Sequence, residues 1–300
     1  MKYNYIIYHK NCFDGFTSLI IFIKSKNYEK KHTIYPDVPS SNKIPPNIKG
    51  KNIIIMDVAY KKEIIEKIVK LANSVLFIDH HISIINDIKK ISNNKLRVIY
   101  NSTKAACLLV WEYFNKNTKS PLFLEYVNKN DIGKWDNNTL YFINSLEVNF
   151  ELYPTIENIK NWNKLFNDDF VIDMLNKGQI YNEYKQYLIN KNSKRFVMKI
   201  FPSDKIKLDF KLGDKKYNIA VINNSCPSTS LVGKNIVDNV NCDFCLLYSI
   251  NLKKNMIIIS LRSKNTDVSY IAKKMGGGGH KLASAFKLDL KKYKIYDLFL

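Results

Sequence analysis

Long apolar runs are missing from this chain of 300 residues. The longest, "LIIFI" at 19–23 and "MIIISL" at 256–261, fall far short of a membrane-spanning helix and read as core segments. Cysteine is scarce: five residues, an odd number without a repeating spacing, argue against a disulfide framework and fit reduced thiols. The N-terminus shows no signal-peptide pattern, with polar Asn11 and Asp14 arriving early. The expectation is therefore a cytoplasmic protein with no membrane partner. Acidic residues are outnumbered, 27 against 47 Lys and Arg, giving a net charge of +20. That excess favours a polyanionic partner, because it concentrates phosphates near the surface. A composition rich in Lys, Asn, Ile and Tyr produces the same excess by itself, and the lysines form no basic tail.

What is present is a globular core. Hydrophobic residues make up 46% and charged residues 25%, the proportions of a folded domain. The length suggests two domains or one large one. Over the first third, strand-like and helix-like patterns alternate. "YNYIIY", "KHTIYP", "NIIIM", "SVLFI" and "KLRVIY" read as strands. "SLIIFIKSK", residues 61–72 and "TKAACLLVWEYF" read as helices. This alternation predicts a mostly parallel sheet flanked by helices. Residues 121–195 read as largely helical, ending in a connecting helix. After about residue 196 the pattern resets to "YNIAVIN", "CDFCLLYSI", "NMIIISLRS" and "LASAFKL", interleaved with helical "TSLVGKNIVDN" and "VSYIAKKM". A second, smaller α/β domain is expected there. No internal repeat is present.

The strand ends carry the chemistry. "YNYIIY" runs into His9, Asn11, Cys12 and Asp14; "NIIIM" runs into Asp57; "SVLFI" runs into Asp79, His80 and His81. A parallel sheet opens all its strand C-termini onto one edge, where ligand sites form. One Asp after a strand is usually a cap or turn residue. Several carboxylates and imidazoles converging there, with Asp131 from a later loop, suit Mn²⁺, Zn²⁺ or Fe²⁺ better than Ca²⁺. The absence of cysteine pairs near them argues against a structural zinc site. "CDFC" at 242–245 lacks a second pair and carries little weight. Asp136 reads as a turn residue.

"FIDHH" at 77–81, preceded by "IIIMD" and an N-terminal His/Asp motif, resembles the DHH phosphoesterase superfamily. "ISLRSKNTDVSYIAKKMGGGGHKLASAF" at 259–286 resembles the associated C-terminal substrate-binding domain, DHHA1. The similarity is nearest to nanoRNase and oligoribonuclease-like members. It implies a DHH catalytic domain over 1–175, a connecting helix over 176–198 and a DHHA1-like domain over 199–300. It implies a Mn-dependent phosphodiesterase that hydrolyses short oligonucleotides or small nucleotide phosphoesters by a two-metal hydroxide mechanism. Two Mn²⁺ ions are implied, with other divalent metals open. His9, Asp14, Asp57, His80 and Asp131 would be metal ligands, with Asp57 bridging. Asp79 would hold the His80 imidazole, and His81 would face the phosphate. A non-catalytic nucleotide binder and a polyphosphatase-like enzyme are the competing readings, and a homodimer is left open.

Two features remain open at this level. Four glycines, Gly276, Gly277, Gly278 and Gly279, followed by His280, would let a phosphate approach backbone N–H groups. Arg262 would join His280 in binding it. Ser228, Thr229 and Ser230 read as helix-capping residues. The first motif departs from the family, which places two Asp residues two positions apart. This chain has only Asp14. Either Cys12 fills the earlier slot and offers a thiolate, or Phe16 fills the later one and offers nothing; Asn11 could add a neutral oxygen in both cases.

Overall fold

The computed structural model describes residues 2–39, 41–203, 216–224, 226 and 228–300. The chain divides into two units, Met1–Asn182 and Glu183–Leu300. The first unit carries five strands: β1 (Tyr3–His9), β2 (Tyr28–Asp37), β3 (Asn52–Met56), β4 (Ser74–Asp79) and β5 (Leu96–Tyr100). All pair in parallel, in the order β2-β1-β3-β4-β5. Its helices are α1 (Phe13–Lys24), α2 (Lys62–Leu71), α3 (Ile82–Ile88), α4 (Ala106–Phe114), α5 (Leu122–Asp131), α6 (Asn137–Asn149) and α7 (Ile156–Trp162). The long α8 (Asp168–Ser193) carries the chain onward into the second unit.

The strands are apolar on both faces, and the period of two sorts their side chains. Ile6, Tyr8, Ile54, Met56, Leu76 and Ile78 pack with α1, α4 and α5. Ile7, Ile53, Ile55, Val75 and Phe77 pack with α2 and α3. Burial on both sides explains the near-continuous hydrophobic runs of a parallel sheet.

Two helix starts differ from the sequence reading, each for a local reason. The helix expected from "SLIIFIKSK" begins earlier, so Asp14 and Gly15 lie in its first turn. Glycine permits this: a Cβ at Gly15 would stand 2.3 Å from the His9 carbonyl oxygen. The helix expected over "TKAACLLVWEYF" begins later, at Ala106, where the Asp14 carboxylate receives the Ala106 and Cys107 N–H groups at 2.7 and 2.6 Å.

The second unit holds β6 (Val197–Phe201), β7 (Tyr217–Asn223), β8 (Phe244–Asn251), β9 (Met256–Arg262), β10 (Gly278–His280) and β11 (Ala283–Asp289), with helices α9 (Thr229–Asn239) and α10 (Val268–Lys274). Its sheet runs β10-β11-β9-β8-β7-β6 and is mixed: β7 and β8 are parallel, the other pairs antiparallel. One face packs under α10 through Val221, Leu246 and Ile259, and the other under α9 through Ile222, Cys245 and Leu247. The two-unit α/β architecture is the one expected. The edge strands β6 and β10 escaped the sequence reading because one is largely exposed and the other is mostly glycine. Among the described residues no helix is long and apolar enough to cross a membrane.

Gly15→Ala is expected to lower stability by about 1–3 kcal/mol, the usual range for forced overpacking. A urea-unfolding series that shows an unchanged midpoint would remove the proposed reason for glycine there.

Candidate metal centre

The sheet order contains a reversal. From β1 the chain moves outward to β2, then crosses back to β3 on the other side and continues to β4 and β5. In open α/β sheets, ligands bind at such a switch point, outside the strand C-termini. His9 ends β1, Asp57 follows β3 and Asp79 ends β4. Cys12 occupies the N-cap position of α1, Asp14 its first turn, and Asp131 the last position of α5.

These side chains meet. Asp57 is central: its Oδ2 lies 3.2 Å from His9 Nδ1, and its Oδ1 lies 3.4 Å from His80 Nε2 and 3.8 Å from His81 Nδ1. His80 Nε2 also lies 3.1 Å from Asp131 Oδ2 and 3.6 Å from Asp14 Oδ2. Three donor groups result, each with its ligand atoms within 4.8 Å of one another: His9, Cys12 and Asp57; Asp57, His80 and His81; and Asp14, His80 and Asp131. Asp57 holds a left-handed backbone, φ 62°, and its N–H donates to the Ile78 carbonyl of β4 at 3.0 Å. Asp and Asn tolerate this conformation better than other side chains, and such strain commonly marks functional positions. Asn11 is likewise left-handed, φ 56°, and its side chain is exposed.

One expectation is corrected. Asp79 does not hold the His80 imidazole. Its Oδ1 accepts from His81 Nδ1 at 2.7 Å and from the His80 and His81 backbone N–H groups at 2.7 and 2.8 Å. The reason is local: the carboxylate folds over the turn that follows β4, and the imidazole two residues on lies on the same side. His80 is left to face the acidic cluster.

The donor set fits a divalent ion. Asp14, Asp57 and Asp79 are each at most 1% exposed, and buried carboxylates need compensating charge. Burial, with Asp57 and Asp131 close by, pushes the Asp14 carboxyl well above its usual range. Burial also raises Asp131. Burial opposes ionisation of Asp57 as well, yet hydrogen bonds from His80 and His9 hold it below the ordinary carboxylate range. His80 is pushed up to about 9: burial works against this, but Asp57, Asp14 and Asp131 outweigh it. The hydrogen bond to Asp79 raises His81. A bound cation would lower the cost of burying these carboxylates together. Asp131 Oδ2, buried, lacks an aligned hydrogen bond despite its closeness to His80. A bound metal ion would supply the missing partner.

No protein-family model matches the chain. A curated relative, uncharacterized protein R106 of Acanthamoeba polyphaga mimivirus, is 26% identical over 298 residues, covering 93% of this chain. The chain spans 66% of that relative's length. Among solved structures, the pGpG-specific phosphodiesterase PggH from Vibrio cholerae superposes with a TM-score of 0.54 at 15% identity, covering 97% of this chain and 95% of that one. The chain shares that fold.

The remaining sequence candidates lie in the second unit. Arg262 pairs with Ala283 across β9 and β11, and Ala283 with His280 across β11 and β10, so the three form one row on one face. Arg262 is half-buried and anchored: its guanidinium donates to the Leu261 carbonyl and to Ser230 Oγ, both at 2.8 Å. The glycine run has reasons in the fold. Gly276 (φ 75°) and Gly277 close a Schellman turn after α10, donating to the Lys273 and Ala272 carbonyls at 3.1 and 2.7 Å. A Cβ at Gly277 would meet the Ala285 carbonyl oxygen at 2.1 Å, and one at Gly279 the Ser284 Cα at 2.6 Å. Only Gly278 is left without such a reason. Ser228 sits at the N-cap of α9 but makes no capping bond; Thr229 Oγ1 instead accepts from Asn224 Nδ2 at 2.8 Å. Asp136 caps α6 through the Thr139 N–H at 2.7 Å and pairs with Lys129, away from the cluster.

Sequence reasoning missed two supports: the α4 N-terminus that holds Asp14, and buried Asp37, which ends β2 beside His9 and accepts from the Tyr60 hydroxyl. For Asp37, its place after an apolar strand was the available signal.

Mn²⁺ or Zn²⁺ is expected to stabilise the metal-free protein, by about 2.7 kcal/mol at roughly a hundred times Kd. Asp57→Asn should lose most of that gain while folding normally. A wild-type thermal unfolding midpoint indifferent to both ions would count against the centre.

Proposed function

We propose that the chain is a divalent-metal-dependent phosphoesterase acting on short oligonucleotides or small nucleotide phosphodiesters. The observation that carries the reading is Asp57. One carboxylate at the switch point has one oxygen beside His9 and the other near His80 and His81, and it shares a donor group with His9 and Cys12. Such a carboxylate suits a bridge between two ions. The shared fold supports the reading, because PggH is a phosphodiesterase specific for pGpG. The excess of basic residues agrees with an anionic substrate.

His9, Cys12, Asp57, Asp14, His80 and Asp131 would hold the ions. When bound, divalent ions would supply Lewis-acid charge at the phosphoryl group and make water more acidic. The protein's own groups do the rest. Asp14 is fixed by two backbone N–H groups of α4, so it needs no reorganisation to act as a ligand. Asp79 orients His81 through Nδ1, and His81 Nε2 has no hydrogen bond among the described residues. That nitrogen is the group to donate a proton to a phosphoryl or leaving oxygen. In the second unit, Arg262 and His280 are proposed as anion-binding groups, by virtue of their common row.

A panel of di- to pentanucleotides, 3′-phosphoadenosine 5′-phosphate, linear and cyclic dinucleotides and pyrophosphate, assayed with Mn²⁺, Mg²⁺ and no metal, tests this. Hydrolysis of a nucleotide ester is expected only with metal. Asp57→Asn should lower kcat by about a thousandfold or more, since bound-ion stabilisation is worth several kcal/mol. His81→Ala should lower it by about 10²–10⁴-fold, the range for a lost general acid. Arg262→Ala should raise KM more than it lowers kcat. Release of phosphate from pyrophosphate alone would transfer the site to inorganic substrates, and no hydrolysis of any substrate would overturn the proposal.

A further inference from the structure

The three residues of the first motif are not equivalent in chemistry or in place. Asp14 is committed: both its oxygens accept from the α4 N-terminus, and its Oδ2 faces His80. It belongs to the group formed with His80 and Asp131. The second group, on the far side of Asp57, has His9 and, as its third donor, Cys12. No other residue of the motif competes. Phe13 and Gly15 carry no donor side chain, and Asn11 is exposed. Cys12 is a free thiol at the N-cap of α1, half-buried, and its side chain makes no capping hydrogen bond.

We infer that the two ion positions differ in kind: His9, Cys12 and Asp57 form a nitrogen–sulfur–oxygen position for a thiophilic ion such as Zn²⁺, while Asp14, His80, Asp131 and Asp57 form an oxygen-rich position for Mn²⁺ or Mg²⁺. The inference rests on the reading of this cluster as a metal centre.

The donor chemistry decides it. A thiolate is a soft ligand that favours zinc and other later divalent ions, whereas carboxylates suit manganese and magnesium. Zinc is commonly held by thiolate, imidazole and carboxylate together. Burial, with Asp57 and Asp14 close by, pushes the Cys12 thiol up, so an ion bound there would have to favour the thiolate; with the thiol ionised, Cys12, Asp14, Asp57 and Asp131 are four anionic donors, which balances two divalent ions. Binding at the first position would release the Cys12 proton to solvent, as thiolate ligation requires. A chain with a carboxylate at position 12 would have two similar positions. This chain is built for a mixed pair, and its activity would then need two different ions.

The test uses the metal-free full chain and reads the ions directly. Cobalt(II) loading is expected to give a near-ultraviolet sulfur-to-cobalt charge-transfer band. Cys12→Ser should abolish that band while visible d–d absorption from the second ion persists. Cys107→Ser, whose thiol lies against Asp14, should keep it. Elemental analysis after loading with one equivalent of Zn²⁺ and excess Mn²⁺ should find one of each per chain, and Cys12→Asp should shift the ratio towards two Mn²⁺. Zinc affinity in Cys12→Ser should fall by more than the roughly 10–100-fold that loss of a supporting residue costs. Circular dichroism confirms that each variant folds. Cobalt bound without the band, a band lost in Cys107→Ser, or an unchanged metal ratio in Cys12→Asp would overturn the inference and leave the metal centre standing. Failure to bind any ion would overturn the centre itself.

Discussion

Everything at the switch point depends on keeping like charges buried together. Asp14, Asp57 and Asp79 sit almost without solvent at the end of one sheet. In isolation each would be costly to ionise there. The fold answers each carboxylate differently. Asp14 takes two N–H groups from the start of α4, where the helix dipole also favours negative charge. Asp79 takes two backbone N–H groups and an imidazole. Asp57 takes only imidazoles, one on each side. It is therefore the carboxylate with fewest rigid partners and the one whose compensation a metal ion can most readily replace. Hydrogen bonds to charged groups are worth about 1.5–3 kcal/mol each, so the α4 and β4 contacts supply a framework that does not need the ion. A bound ion would depend most on Asp57.

This division orders the rest of the unit. The strained left-handed backbone at Asp57 turns its side chain across the sheet edge instead of along the strand, and the bond from its N–H to β4 keeps it there. Gly15 lets α1 lie tightly against His9, and Cys12 and Asp14 at its start fall in different donor groups. Removing either device would leave the ligand types unchanged and the constellation lost. Packing of the α1, α4 and β1 core is thus part of the centre, since an error of about 1 Å in such a site is enough to impair it.

Much of the fold and cluster was legible because both follow from repeating physical rules. Parallel strands buried on two faces must be apolar throughout, and their C-termini must share an edge, so His9, Asp57, Asp79, His80 and His81 could be assigned to one place from spacing alone. Three of the five histidines fall in the two strand-end motifs, which made the pattern stand out. What stayed hidden depended on geometry across distant segments. Nothing in "FIDHH" says that Asp79 reaches His81 instead of His80. Nothing near residue 14 says that residues 106 and 107 will donate to it. The place of Cys12 also needed space: it falls in one donor group with His9 and Asp57, while Asp14 faces His80.

The glycine run shows how one motif can have more than one physical reason. Four glycines before a histidine suggest backbone laid bare for a phosphate. Three of them have reasons in the fold as well, in the turn after α10 and in the contact with β11. Tight closure of β10 onto β11 sets His280 in register with Ala283, and Ala283 in register with Arg262. The alanine between them leaves space that a larger side chain would fill. Gly233 of α9 plays the matching part on the other side, since a Cβ there would come within 2.7 Å of the Arg262 side chain. Small residues in this unit thus set the place of the Arg262 side chain and of the row that it shares with His280.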